Sequence, residues 1–155
     1  METPESRLKV LEAETSAANG YFASLSHEDL QKPSACVDWS VADVIGHLAG
    51  QDHASRVRRG LQGDYSPPDG APAVTDFDED QFAKNISERA QATREQQGEA
   101  LVSYLNQRLV ETVEVFNSVG PNDWDMLCYW PPGPMAVRTL LDQRIAELTM
   151  HTWDI

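Results

Sequence analysis

Cysteine is scarce in this chain, and its scarcity sets the first bounds. Cys36 and Cys128 are the only two in 155 residues, and they form no C-x-x-C pair. The opening stretch METPESRLKV is polar and lacks the apolar segment of a secretory signal. Together these features predict a cytoplasmic protein with reduced thiols, in which a disulfide between the two cysteines is not expected. Long apolar runs are missing too: none nears the roughly 20 residues a membrane span needs. Basic residues are few, 12 Lys and Arg against 25 Asp and Glu, for a formal net charge of −13. A surface of that sign repels phosphate, which argues against nucleic acid and membrane partners. Strand-like alternation, internal repeats and low-complexity blocks are also lacking.

What is present is helical periodicity. Thr3-Pro4 suits a helix start, and Leu8, Leu11, Thr15, Ala18, Phe22 and Leu25 mark one apolar stripe. SLSHEDLQKPSACVD breaks the period. Ser40 then opens a second helix, with Asp43 three residues on as in a capping box and Trp39 placed to staple onto Val44. Its stripe is Val41, Val44, Ile45 and Leu48, and Gly60 is its expected end. Residues 61–85 are rich in Pro, Gly and Asp and read as a long loop. A third helix is expected from about Phe82 or Ile86 to Val119, with Thr93, Gln97, Leu101, Leu105, Leu109 and Val113 on its face and Gly120-Pro121 as the stop. NDWDMLCYWPPGP is irregular, and Pro134 suits the start of a last helix. Four helices with two long connections predict an all-α four-helix bundle over residues 1–155, a single domain. The last helix reaches Ile155 with no stop signal. The expectation is that the natural chain continues, with a C-terminal domain missing here.

That last helix poses the functional question. Leu140, Leu141, Ile145 and Leu148 recur at helical spacing, yet Arg144, Glu147, His151 and Asp154 fall on one line beside them. Glu147 and His151, four apart, can reach one point, although such a pair is often only a surface ion pair. His47 sits at the edge of the second helix's apolar stripe. With Glu147 and His151 it completes two imidazoles and one carboxylate, a set that suits zinc with one coordination position left open. His53, six residues after His47 and about 120° round a continuous helix, is not expected to share the site. His27 is expected in an exposed loop. Cys36 and Cys128 are candidate soft ligands, but neither lies on a predicted bundle face.

CVDWSVADVIGHLAG and RIAELTMHTWDI resemble the two motif regions of the DinB/YfiT-like metalloenzyme superfamily. More narrowly, they resemble the metal-binding N-terminal domain of the mycothiol-dependent maleylpyruvate isomerase family. The Trp before the helix cap, the His of GHL and the closing R-x2-E-x3-H-x-W-D carry the resemblance. It implies a bundle holding a divalent metal, usually Zn2+, at positions matching His47, Glu147 and His151. It also implies a low-molecular-weight thiol as cosubstrate, such as mycothiol, bacillithiol or glutathione, and an electrophilic small-molecule substrate.

On this reading a metal-activated thiolate serves thiol transfer or addition–elimination isomerisation. Arg144 has three readings: it orients Glu147, binds a substrate carboxylate, or forms a salt bridge to Asp43 or Asp154. Asp154 is placed to accept a hydrogen bond from an imidazole, and Gln51 to line the same pocket. Trp130 and the loops at 61–85 and 121–134 are candidates for its rim. Two alternatives remain: a metal-dependent hydrolase with the same ligands, and a non-catalytic metal-binding or regulatory module. The oligomeric state stays open, a homodimer included.

Overall fold

A computed structural model describes residues 3–71 and 76–155. Residues 72–75 of the predicted 61–85 loop lie outside the described residues. The elements are α1 (Pro4–Ala23), α2 (His27–Leu30), α3 (Val41–Gly50), α4 (His53–Leu61), α5 (Glu79–Gln97), α6 (Leu101–Asn117) and α7 (Val137–Trp153), with a hairpin of β1 (Leu127–Cys128) and β2 (Met135–Ala136) before α7. The fold is all-α and DinB-like. Among the described residues, no helix is long and apolar enough to cross a membrane.

Local chemistry explains most boundaries. Thr3, Ser26 and Ser40 each open a helix with a reciprocal capping box, closed by Ser6, Asp29 and Asp43. The predicted Ser40–Asp43 box is therefore in place. Trp39, just before the cap, donates its indole N–H to Ser87 Oγ at 3.3 Å and lies against His47. His27, expected in a loop, is an exposed residue of the short α2.

Two predicted helices are broken. The second stops at Gly50: Gln51 takes an extended conformation, and Asp52 caps a new helix by accepting from the Ser55 amide at 3.2 Å. Both a weak helix former, Gly50, and a strong cap, Asp52, act there. The third starts earlier than expected, at Glu79, and is interrupted at Gly98, whose φ of 51° lies in the left-handed region. A 3-10 turn over Gly98–Ala100 redirects the chain into α6, which ends at Asn117 rather than Val119. The last helix begins at Val137, because residues around Pro134 form the small hairpin that strand periodicity is too short to reveal.

α1 packs against α7 and α6, while α3 packs against α5, α6 and α7. The core falls into two apolar clusters. One gathers Leu11, Val57, Phe116, Trp124, Leu140 and Leu141 near the hairpin. The other gathers Phe22, Ile45, Leu48, Leu105, Leu109 and Leu148 toward the far end. α3 and α5 approach closely at Gly46. A Cβ there would fall well inside contact distance of the Ala90 carbonyl oxygen, a backbone atom that cannot rotate away. Gly46→Ala should therefore destabilise the protein by about 1–3 kcal/mol. Denaturant melts would check this, and an unchanged midpoint would show that α5 is free to shift.

Candidate metal centre

α3 and α7 face each other where His47, Glu147 and His151 meet. The i, i+4 spacing puts Glu147 and His151 on one side of α7. His47, two turns into α3, approaches from across the interface. One donor atom from each of the three lies within 4.8 Å of the others. His47 Nε2 is 3.0 Å and His151 Nε2 is 3.5 Å from Glu147 Oε2. The two imidazoles meet edge to face, with ring centres 4.8 Å apart, and Trp39 stands 5.4 Å from His47 on another side. All three residues are half-buried rather than sealed.

The surrounding hydrogen bonds set proton positions. His151 Nδ1 donates to Asp154 Oδ2 at 2.8 Å, which turns the Nε2 of a neutral ring toward Glu147 as a lone pair. Gln51 donates from Nε2 to Glu147 Oε2 at 2.7 Å and sits 3.0 Å from His47 Nε2. His47 Nε2 thus faces a carboxylate oxygen and an amide N–H at once; a single proton or lone pair serves only one of them. Burial opposes ionisation of Glu147, but hydrogen bonds from His151, His47 and Gln51 outweigh it and hold the carboxyl well below its usual range. Burial also works against charge on His151, yet Glu147 and Asp154 raise its pKa. The carboxylate is therefore held ionised, and His151 is drawn toward its protonated form.

Arg144 lies behind this group and is fully buried. It donates to Gln51 Oε1 at 2.5 Å and to the Leu48 carbonyl at 3.3 Å. The second contact satisfies one of the last carbonyls of α3, the end of a helix where a cation is favoured. Burial lowers its pKa to about 10, so it stays charged at neutral pH. It is linked to Glu147 through Gln51, which donates to that carboxylate. Neither predicted salt bridge forms: Asp43 pairs with Arg94 at 2.8 Å and Asp154 with His151.

Some contacts near the centre escaped the sequence reading. Cys36 lies 3.4 Å from Asp154 Oδ2, because the Ala35 amide donates to the Asp154 carbonyl at 2.7 Å and ties the loop to the end of α7. Burial and then the Asp154 carboxylate push its thiol pKa up, so Cys36 acts as a protonated neighbour. No local pattern announces that contact, which joins residues distant in sequence. His53 is buried on α4 and meets Gln143 Oε1 at 2.6 Å, outside the cluster. The break at Gln51 invalidates the continuous-helix angle used to place it, and the Gly50–Asp52 pattern was the available signal. Cys128 is buried beneath α4, and burial raises its pKa to about 11. The Arg56 guanidinium carbon lies 4.9 Å from the Trp130 ring centre.

In class, this is a DinB-like helical-bundle domain with a His–Glu–His cluster between two helices. A sequence model described as mycothiol maleylpyruvate isomerase N-terminal domain matches residues 11–155, and the chain belongs to that family. The solved mycothiol-dependent maleylpyruvate isomerase superposes with a TM-score of 0.75 at 13% identity. A histidine-to-alanine variant of that isomerase gives 0.80, also at 13% identity. In both comparisons the match covers 99% of this chain and 60% of the isomerase chain. No curated protein sequence matches the chain.

The two perturbed histidines pull stability in opposite directions with pH. His53 has its folded pKa depressed by burial and by Arg144, below the usual 6.5. Its contribution is present above pH 6.5 and is lost as pH falls toward that folded value. His151 has a raised folded pKa, so its contribution is present below 6.5 and is lost as pH rises through the folded value. The metal-free protein should thus melt highest near pH 6.5. His53→Gln should flatten the acid limb and His151→Gln the alkaline limb. Thermal melts across pH test this, and a profile rising steadily in one direction would contradict it.

Proposed function

We propose that this domain holds a divalent metal ion, zinc, through His47, Glu147 and His151. We further propose that it binds a low-molecular-weight thiol, mycothiol, for thiol transfer to an electrophilic small molecule or for its addition–elimination isomerisation. The observation that carries the reading is the spacing of the donor atoms. Groups at about 2.0–2.1 Å from a tetrahedral zinc stand about 3.3 Å from one another. The 3.0 and 3.5 Å separations from Glu147 Oε2 bracket that value. The proton positions support it as well. With Nδ1 donating to Asp154, a neutral His151 aims a lone pair at a carboxylate oxygen, and the two repel unless a cation lies between them. The choice of thiol rests on the family, whose description names mycothiol.

When bound, such an ion supplies Lewis acidity that favours the thiolate form of a thiol at the open position near neutral pH. The chain's own residues prepare that position. Asp154 holds the His151 tautomer. Gln51 donates to Glu147 and keeps its carboxylate turned toward the imidazoles, and Arg144 holds Gln51. Trp39 shields one side of the His47 ring.

Purified protein should carry about one metal per chain, and His47→Ala and His151→Ala should each lose it. Calorimetric titration of the loaded protein with mycothiol, bacillithiol and glutathione should then show selective binding of mycothiol. Thiol binding is the proper readout because the chain spans 60% of the solved isomerase chains. Metal retained in both variants would remove the ligand assignment. Metal without thiol affinity would turn the reading toward hydrolysis with the same ligands.

A further inference from the structure

Cys36 is a soft donor that the metal centre leaves unused, yet the fold carries it to the end of α7. One donor atom from each of Cys36, His151 and Asp154 lies within 4.8 Å of the others. Cys36 Sγ donates to Asp154 Oδ2 at 3.4 Å, and His151 Nδ1 donates to the same oxygen at 2.8 Å. Two protons thus converge on one carboxylate oxygen, at the ring nitrogen that does not face Glu147.

The loop that brings Cys36 there is braced. The Ala35 amide donates to the Asp154 carbonyl at 2.7 Å, and the Trp39 amide to the Cys36 carbonyl at 3.1 Å. Ser34 Oγ accepts from the Cys36 amide at 3.1 Å. We propose that Cys36, His151 and Asp154 form a second cation position, for a thiophilic divalent ion of the zinc class.

The donor chemistry and the spacing both fit. A thiolate, an imidazole and a carboxylate are a ligand set that zinc takes, and their two negative charges match one divalent ion. Sulfur at about 2.3 Å and oxygen at about 2.1 Å from a tetrahedral ion stand about 3.6 Å apart, near the observed 3.4 Å. The 2.8 Å contact is a hydrogen bond, and it opens by about half an ångström when an ion replaces the shared proton. A Cys–His–Asp nucleophile is a poorer reading. The thiol meets the carboxylate instead of the imidazole, and nothing there takes its proton.

This position uses Nδ1 of His151, whereas the His47–Glu147 position uses Nε2. A neutral imidazole has one lone pair. Glu147, Asp154 and a Cys36 thiolate surround the ring with negative charge, which opposes loss of its second proton. The two positions therefore exclude each other, and the His151 tautomer selects between them. The exclusion rests on the metal reading given above; the Cys36 position does not.

The test is titration of metal-free protein with cobalt(II), under a reductant that is not a thiol, followed by the near-ultraviolet thiolate-to-cobalt charge-transfer band. Only a cysteine ligand produces that band, so the His47–Glu147–His151 set is silent in it. In H47A the band should grow to about one cobalt per chain. It should vanish in H47A/C36S and persist in H47A/C128S, and D154N in the H47A background should weaken cobalt binding about tenfold or more. E147Q, which removes the first position's charge, serves in place of H47A if that variant unfolds. Absence of the band, or its survival without Cys36, would overturn the second position. Wild-type protein carrying one zinc per chain at His47 should resist cobalt at Cys36. A full band with that zinc retained would overturn the exclusion. Failure of the wild type to bind zinc while H47A shows the band would remove the first position and leave the second standing.

Discussion

The carboxylate of Glu147 is the constraint on which the centre of this bundle depends. It sits half-buried on a helix whose buried residues, Arg144 apart, are aliphatic, and an unsatisfied carboxylate there would cost several kcal/mol. Its partners come from both helices of the interface: His151 from its own, His47 and Gln51 from across it. Satisfying one group thus fixes the register of α3 against α7. Asp154 and the loop carrying Cys36 extend the same network to the end of the last helix.

The break after Gly50 belongs to this arrangement. Continuing the helix would carry Gln51 on along its surface. Stopping it exposes the Leu48 carbonyl, which Arg144 satisfies, and lets Gln51 bridge Arg144 to Glu147. A buried guanidinium is tolerable because it meets both a helix C-terminus and an amide oxygen.

Membership of the mycothiol maleylpyruvate isomerase N-terminal domain family accounts for the helices and their order. The distinguishing chemistry of this chain lies in how its charges are spent. Most arginines are paired in a strongly acidic protein, whereas Arg56 and Arg89 have no ion-pair partner among the described residues, and the fully buried Arg144 donates to Gln51 beside the histidine cluster.

Periodicity and capping were enough to read the helical class, the Ser40 start and the alignment of Arg144, Glu147, His151 and Asp154, because these depend on neighbours three or four residues apart. His47 could be joined to them only through the resemblance or by supposing that two helices face each other. The breaks at Gln51 and Gly98 were foreshadowed by glycine and aspartate, yet continuing stripes masked them, since an apolar pattern survives a change of helix direction. The hairpin strands are two residues each, too short for alternation to register. Placement of Cys36 beside Asp154, of His53 on Gln143 and of Arg56 on two aromatic rings was decided by tertiary structure alone. Each contact joins positions far apart in the chain, and only the packing of whole elements brings such positions together.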